Sequence, residues 1–148
     1  MSQCVIRYMT VADISAVAII EKATFSQPWS EKSFEDAINR ADTLFLVALE
    51  DDVVCGYIGA YISFGEAEIT NVCTAVNYRG RGVGSALVET FFANACEKEV
   101  KKIILEVRVS NEPAIALYKN QGFETIGVRP RFYSFPTEDA LLMEKNIC

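Results

Sequence analysis

The turn at residues 79–84 has the composition of an anion-binding loop. It reads RGRGVG, so three glycines alternate with two arginines and a valine. Glycine has no Cβ, and backbone N–H groups in such a turn can therefore approach a ligand closely. A strand is predicted before the turn and a helix from Ser85 onward, and the N-terminus of that helix would direct its positive dipole end at the same anion. These features predict a site for a pyrophosphate-sized group.

Two common nucleotide-binding motifs do not fit this turn. A dinucleotide fingerprint requires G-x-G-x-x-G early in a βαβ unit, with an acidic residue about 20 positions later. Here the glycines stand at 80, 82 and 84, after three predicted antiparallel strands. A Walker P-loop ends in Gly-Lys followed by Ser or Thr, which this turn lacks. The pyrophosphate therefore belongs to another cofactor, unless the turn is a connection without a ligand.

Acid–base chemistry in this chain must use a side chain other than histidine, because the sequence contains none. Glu106 stands in a predicted strand, residues 103–109, whose other members are mostly apolar. Partial burial would raise the pKa of its carboxyl group and suit it to accept a proton near neutral pH. Alternatively, Glu106 is an edge carboxylate paired with Arg108 on the same face of the strand.

Tyr118 and Cys73 also carry groups that could react. Tyr118 follows Asn111 by seven residues and so shares a face of the predicted helix with it. It is either a core tyrosine or a phenol that protonates a leaving thiolate. Cys73 lies in the strand before the turn, but a thiolate nucleophile needs a base or cationic neighbours. Without histidine, we interpret Cys73 as a buried structural cysteine.

Length and composition limit the class of protein. The 148 residues predict a single domain, 1–148, and the 51% apolar fraction is sufficient for its core. No apolar run approaches the ~20 residues that cross a bilayer, and no signal peptide is evident, so we expect a cytoplasmic protein that binds no membrane. A net charge of −6 argues against nucleic acid and suits a cationic substrate. Five widely spaced cysteines without a CxxC pair predict no disulfide framework and no metal.

The hydrophobic pattern predicts an α+β fold: a mixed, mostly antiparallel sheet of about seven strands flanked by about four helices. The predicted strands are 4–9, 43–49, 53–63, 67–75, 103–109, 123–128 and 140–145, and the predicted helices are 11–24, 30–40, 85–98 and 111–121. The strand–helix–strand order across 67–109 predicts one parallel pair with a right-handed crossover. A loop at 129–136 separates the last two strands.

The spacing Arg79-x-x-Gly82-x-Gly84 resembles the acyl-CoA-binding loop of the GNAT superfamily of N-acetyltransferases, and the element order resembles that fold along nearly the whole chain. Three further segments are similar to the RimI-type N-terminal alanine acetyltransferases within it. They are PWSEKSF at 28–34, LEVRVSNEPAIALY at 105–118 and GF at 122–123. The chain departs from the family pattern at 74–78 (TAVNY) and in the late loop at 129–133 (RPRFY).

The resemblance implies that acetyl-CoA is the co-substrate. It assigns the general base to Glu106 and the general acid to Tyr118, and it implies a bulged strand whose backbone binds the pantetheine arm. The implied acetyl-CoA-binding residues are Val72, Cys73, Thr74, Arg79, Gly80, Arg81, Gly82, Val83, Gly84, Ser85 and Asn111. Trp29, in the first loop, and Tyr133, in the late loop, are expected to line the acceptor groove, unless they only pack in the core.

The acceptor implied by the resemblance is the N-terminal peptide of a protein, by analogy the N-terminal alanine of a small-subunit ribosomal protein. Four acidic residues near the first loop could favour a basic peptide: Glu21, Glu31, Glu35 and Asp36. The alternatives are a GNAT enzyme acting on a small amine, such as a polyamine, amino acid or aminoglycoside, or a non-catalytic CoA-binding sensor. We expect a monomer or a weak dimer.

Overall fold

The computed structural model describes residues 4–148, and its centre is a seven-stranded mixed sheet. The strands are β1 (Val5–Tyr8), β2 (Thr43–Glu50), β3 (Val53–Ser63), β4 (Glu66–Thr74), β5 (Lys102–Arg108), β6 (Glu124–Tyr133) and β7 (Glu138–Asn146). The helices are α1 (Ile14–Thr24), α2 (Glu31–Ile38), α3 (Val83–Glu97) and α4 (Glu112–Asn120). The strand order is β1-β2-β3-β4-β5-β7-β6. The predicted fold class is confirmed.

The helices cover the two faces of the sheet and create two apolar layers. On one face α3 packs on the sheet through residues such as Leu87 and Phe91, which are fully buried, and α4 contributes Tyr118 to the same cluster. On the other face α1 and α2 pack through residues such as Val17 and Phe34, which are also fully buried. Each such side chain contributes about 1.5–3 kcal/mol by leaving water. These two apolar layers hold the four helices in place on the sheet and so position the side chains of the candidate site.

The pairing between β4 and β5 is parallel and short. It joins Glu66–Ile69 to Lys102–Leu105 and ends there. Beyond that point β4 continues to Thr74 beside β3, and β5 continues to Arg108 beside β7. Because backbone groups of a strand alternate in direction, part of the 70–74 backbone faces a gap in the middle of the sheet instead of a partner strand.

Thr70 is the additional residue of a β-bulge in β4. Ile69 pairs with Ala60 of β3 and Asn71 pairs with the adjacent Gly59, so Thr70 has no place in the ladder. Without the bulge, Ile69 and Cys73 would share a face, since side chains alternate along a strand. Instead Ile69 packs in the α3–α4 layer and Cys73 packs in the α1–α2 layer. The sequence is compatible with this bulge but does not reveal it.

The end of β6 differs from the prediction. Residues 129–133 were expected to begin a loop, but β6 continues to Tyr133 and pairs there with Glu138 of β7. The register between Arg129 and Tyr133 is irregular, and Arg131 has a φ of 53°. The expected loop therefore shrinks to a tight connection, which holds Tyr133 on the sheet.

Two of the five cysteines form a disulfide, Cys96–Cys148, with the Cα atoms 5.9 Å apart. The wide spacing of the cysteines predicted no disulfide framework and did not reveal this pair, whose members are 52 residues apart in sequence. The disulfide joins the last turn of α3 to the C-terminal residue after β7. The other three cysteines are free: Cys4, Cys55 and Cys73.

Candidate active site

The glycine-rich turn leads directly into the first turn of α3. Gly80 and Gly82 have φ values of 78° and 82°, in the left-handed region that side chains with a Cβ rarely adopt. Gly82 is the N-cap of α3, which begins at Val83, two residues before the predicted start. The N–H groups of the first helical turn, 83–85, have no acceptor within the helix. These groups lie where the sequence predicts an anion site, and that site stays a prediction.

Gly84 differs from Gly80 and Gly82 in how closely other residues surround it. A Cβ placed on it would lie 3.1 Å from Leu117 Cδ2 of α4 and 3.9 Å from Thr74 Oγ1. In contrast, a Cβ on Gly80 or Gly82 would meet nothing within 4 Å. Gly84 therefore allows α3 to approach α4 closely, whereas the surface beside the other two glycines stays open for a ligand.

The two arginines of the turn make contacts with the protein itself. Arg79 donates from Nε to the carbonyl of Thr74 at 3.0 Å, which ties the turn to the end of β4. Arg81 donates to Glu50 at 3.0 Å, and its guanidinium lies 5.2 Å from the centre of the Tyr78 ring. Both side chains thus shape the turn, so the predicted anion site would depend mainly on the backbone N–H groups.

Glu106 is the first residue of β5 beyond the pairing with β4. Its neighbour Leu105 faces the α3–α4 layer, so Glu106 faces the opposite side at the edge of the gap. Its side chain is 13% exposed, and Nε of Arg129 lies 3.2 Å from Oε2. Burial raises the pKa of Glu106, the charge of Arg129 lowers it and Glu68 raises it, and the net shift is upward.

Arg108 does not pair with Glu106, contrary to one of the two sequence interpretations. It instead contacts the connection between β6 and β7, donating to the carbonyls of Ser134 at 3.0 Å and Pro136 at 2.9 Å, and to Glu138 at 3.1 Å. Its guanidinium also stacks 4.5 Å from the centre of the Tyr133 ring. One strand residue therefore holds the segment that presents Tyr133.

Tyr133 lies in the electrostatic environment of Glu106, and Tyr118 lies in that of Tyr133. Burial, followed by the charge of Glu106, raises the pKa of Tyr133 to about 12. Tyr118, on α4, is buried, and burial, followed by the neighbouring Tyr133 and Cys73, raises its pKa well above the usual value. The structure thus brings Tyr118 and Tyr133 into one electrostatic neighbourhood, with Glu106 acting on Tyr133, although these residues come from three different elements.

Trp29 and Tyr133 come from opposite ends of the chain and occupy different surroundings. The Trp29 ring is half-buried, with its centre 5.1 Å from that of Phe34 and 6.0 Å from that of Phe45. Tyr133 is half-buried beneath Arg108. Both rings are anchored on one side and partly accessible on the other, which suits walls of a groove.

The remaining predicted residues have mainly structural contacts. Asn111 caps α4 through a bond from the Ala114 N–H to Oδ1 at 3.3 Å. Cys73 is buried, with its sulfur 3.2 Å from Thr24 Oγ1, and burial raises the pKa of the thiol. A raised pKa leaves the thiol protonated, so Cys73 is poorly suited to nucleophilic attack. Val72 and Thr74 are half-buried and lie in the part of β4 beside the gap.

Sequence reasoning gave no role to Arg129, and it misjudged the partners of Arg108 and the burial of Glu21. Arg129 and Arg108 contact the site from β6 and β5, and Glu21 is 3% exposed rather than available to a peptide. Strand alternation places Arg108 on the same face of β5 as Glu106, so the sequence indicated where Arg108 lies. It did not indicate its partners, because these belong to the β6–β7 connection. The signal for Glu21 was weak, because an acidic residue at the end of a surface helix is usually solvated.

Comparison with known proteins places these features in a family context. The model of the acetyltransferase (GNAT) family matches residues 14–123. A Bacillus subtilis (strain 168) protein, provisionally named a ribosomal protein bS18-alanine N-acetyltransferase, is 36% identical over 143 residues, covering 96% of this chain and 95% of its own. The crystal structure of the Escherichia coli ribosomal-protein-S18-alanine N-acetyltransferase superposes with a TM-score of 0.89 at 28% identity, covering 98% and 94% of the two chains.

A more distant structure shares the fold. Arabidopsis thaliana NAA60, in complex with acetyl-CoA, superposes with a TM-score of 0.90 at 20% identity and covers 98% of this chain and 99% of its own. Among residues 4–148, no helix is long and apolar enough to cross a membrane.

Proposed function

The chain belongs to the acetyltransferase (GNAT) family and is an acetyl-CoA-dependent N-acetyltransferase, and we propose that it acetylates the N-terminal α-amine of a protein in the cytoplasm. The acceptor that we propose is the N-terminal alanine of a small-subunit ribosomal protein. Support comes from the names of the Bacillus and Escherichia relatives and from the largely buried carboxylate of Glu106, whose charge acts on the half-buried Tyr133.

The residues around the glycine-rich turn fit acetyl-CoA. The N–H groups of residues 80–85 would hold its pyrophosphate, because the surface beside Gly80 and Gly82 is open and the first helical N–H groups are available. The backbone of Val72–Thr74, which borders the gap, would hold the pantetheine arm. Asn111, the N-cap of α4, is a further proposed contact. When bound, acetyl-CoA supplies the acetyl group as a thioester.

One observation carries the catalytic proposal. Within residues 4–148, the buried Oε2 atom of Glu106 accepts no hydrogen bond, although Arg129 lies close enough for an ion pair. Buried carboxylate oxygens are normally hydrogen bonded, so this atom suits an ammonium group brought by the acceptor. Glu106 would accept one proton from that ammonium, directly or through water, and leave a neutral amine able to attack the thioester carbonyl.

Tyr118 has the complementary role at the leaving group. As the new C–N bond forms and the C–S bond breaks, the Tyr118 phenol donates its proton to the departing sulfur. Its raised pKa keeps the phenol protonated until that moment. The attacking nitrogen releases its second proton to solvent as the C–S bond breaks. Glu106 then carries one extra proton and Tyr118 lacks one, so transfer between them through solvent restores both, and one proton is released overall.

The acceptor peptide would enter between the segments that carry Trp29 and Tyr133. Exposed acidic residues lie near the Trp29 side: Glu31, Glu35 and Asp36. Together with the net charge of −6, they favour the approach of a basic N-terminal segment.

The experiment that tests this function uses purified protein, acetyl-CoA and a peptide library varied at the first two residues, with products identified by mass spectrometry. We expect acetylation of the α-amine of peptides that begin with alanine, and none when that amine is formylated. A panel of polyamines, amino acids and aminoglycosides is assayed in parallel. Acetylation of free amines without peptide acetylation would indicate a small-amine enzyme, and CoA binding without any turnover would indicate a sensor; either result contradicts the proposal.

A further inference from the structure

Glu21 is a buried carboxylate in an unfavourable position. It is 3% exposed and lies in the last turn of α1, which ends at Thr24. Burial of a charge is costly unless hydrogen bonds compensate, and the C-terminal end of a helix repels negative charge. An apolar residue would avoid this cost only if the donors that bond to the carboxylate were replaced as well. The carboxylate is therefore better explained by what it holds than by its contribution to stability.

Three donors from three different elements converge on this carboxylate. The Tyr57 hydroxyl of β3 donates to Oε1 at 2.5 Å, and the Asn71 amide of β4 donates to the same atom at 3.4 Å. The backbone N–H of Trp29, in the connection between α1 and α2, donates to Oε2 at 3.0 Å. Oε1 thus faces the sheet, and Oε2 faces the connection between α1 and α2.

The sheet side of this network leads to the bulge. Asn71 follows the bulged residue directly, and the Thr70 hydroxyl donates to Asn71 Oδ1 at 2.6 Å. Through Asn71, Glu21 is therefore coupled to the part of β4 that borders the gap. Through its other oxygen it fixes the backbone at Trp29, whose ring packs against Phe34 and Phe45.

We propose that Glu21 is a positioning residue, which holds the Trp29 wall of the acceptor groove at a fixed place relative to the bulged strand. The proposal rests on the proposed function for the use of the groove, but not for the geometry itself. The bond to Trp29 requires an acceptor at Oε2, while Oε1 must accept from Tyr57 and Asn71. A carboxylate meets both demands at once. An amide presents one N–H₂ group and leaves one of these donors facing another donor.

The matched test compares Glu21→Gln with Asp13→Asn. Asp13 is also a buried carboxylate, 5% exposed, and it accepts from Arg7 at 2.7 and 2.9 Å at the opposite end of α1. Each substitution removes one buried charge without a change of volume. Since Trp29 is the single tryptophan, its fluorescence reports directly on the segment in question. We expect Glu21→Gln to shift the emission to longer wavelength and increase quenching by acrylamide, and Asp13→Asn to leave both unchanged.

Kinetics provide the second measurement. In Glu21→Gln the KM for the alanine peptide should rise about tenfold or more, as expected from the loss of a hydrogen bond to a charged group, while the KM for acetyl-CoA and kcat stay near the wild-type values. Asp13→Asn should lower stability without the KM change. If Glu21→Gln leaves both the tryptophan emission and the peptide KM unchanged, Glu21 is purely structural and the proposal is wrong.

A measurement on the wild-type protein remains decisive if Glu21→Gln does not fold. By hydrogen exchange, the Trp29 amide should exchange much more slowly than the amide of the neighbouring Gln27, because it is bonded to a buried acceptor. Equal exchange rates would overturn the proposal. If the wild-type enzyme acetylates free amines and not peptides, the proposed function fails, but emission and exchange at Trp29 still test the role of Glu21.

Discussion

Arg129 of β6 places its Nε 3.2 Å from Oε2 of Glu106 on β5, two strands away in the sheet. The arginine side chain is 57% exposed and the glutamate 13% exposed, so a largely exposed charge faces a largely buried one. Burial raises the pKa of Glu106 and Arg129 opposes that shift. A general base works best with a pKa near the working pH. In the proposed mechanism, burial, Arg129 and Glu68 together set that pKa for Glu106.

Replacement of Arg129 should change the pH dependence of the reaction. In Arg129→Gln the opposing positive charge is lost, so the pKa of Glu106 rises further. The base is active as a carboxylate, which exists above its pKa, and the acid limb of the kcat/KM profile should therefore move to higher pH. Arg40→Gln, which removes a surface guanidinium paired with Asp42, should leave the limb in place. If the acid limb of the kcat/KM profile does not move in Arg129→Gln, then Arg129 does not influence the pKa of the general base.

Glu106→Gln should abolish most of the turnover while acetyl-CoA binding persists. The substitution keeps the size of the side chain and removes the proton acceptor, and general base catalysis typically contributes about 10²–10⁴-fold. Steady-state kinetics measure kcat, and titration calorimetry with CoA measures binding. A loss of CoA binding with the loss of turnover would mean that Glu106 supports the cofactor site instead of removing a proton.

The local features of the site could be predicted from the sequence because neighbouring residues specify them. The glycines of the turn, the cap at Asn111 and the apolar strand around Glu106 each depend on residues within about one helical turn or strand. The partners of the charged residues could not be predicted in the same way. Whether Arg108 or Arg129 pairs with Glu106 depends on how far β6 extends, and the pattern predicted that this strand would end at Val128.

Arg108→Lys should weaken acceptor binding and leave the other steps intact. The guanidinium bonds to two carbonyls and to Glu138 while it stacks on Tyr133, and a lysine ammonium cannot reproduce that planar arrangement. The β6–β7 connection should loosen, and the peptide KM should rise about tenfold, with the acetyl-CoA KM unchanged.

The matched control for that prediction is Arg40→Lys. Arg40 is also paired with a carboxylate, Asp42 at 2.8 Å, and lies 5.5 Å from the centre of an aromatic ring, that of Tyr61. It lies outside the proposed groove, so its replacement should not affect the peptide KM. Equal effects of the two substitutions would argue against a specific role of Arg108.

Tyr118→Phe should lower kcat with little change in either KM. The ring would still pack against Phe123, whose centre lies 5.6 Å away, so the fold should be preserved. The loss of a positioned acid predicts a decrease of about 10²-fold or more. Because the pKa of Tyr118 is raised, the phenol stays protonated across the assay range. The pH profile of the wild-type enzyme should therefore have no alkaline limb that is due to Tyr118. Wild-type turnover in Tyr118→Phe would show that another group, or water, protonates the sulfur.

The Cys96–Cys148 bond leads to a prediction about stability. It closes a segment with a sequence separation of 52 residues, and restriction of the unfolded chain over such a loop is worth about 4 kcal/mol in the chain-entropy model. Protein purified without reductant and then unfolded should show three titratable thiols, and five after reduction, since three cysteines are free. Reductant should lower the denaturant midpoint of the wild type, whereas the midpoint of Cys148→Ser should be lower from the start and insensitive to reductant. Five thiols before reduction would show that the bond does not form in solution, and α3 would then be held to the sheet by its apolar face alone.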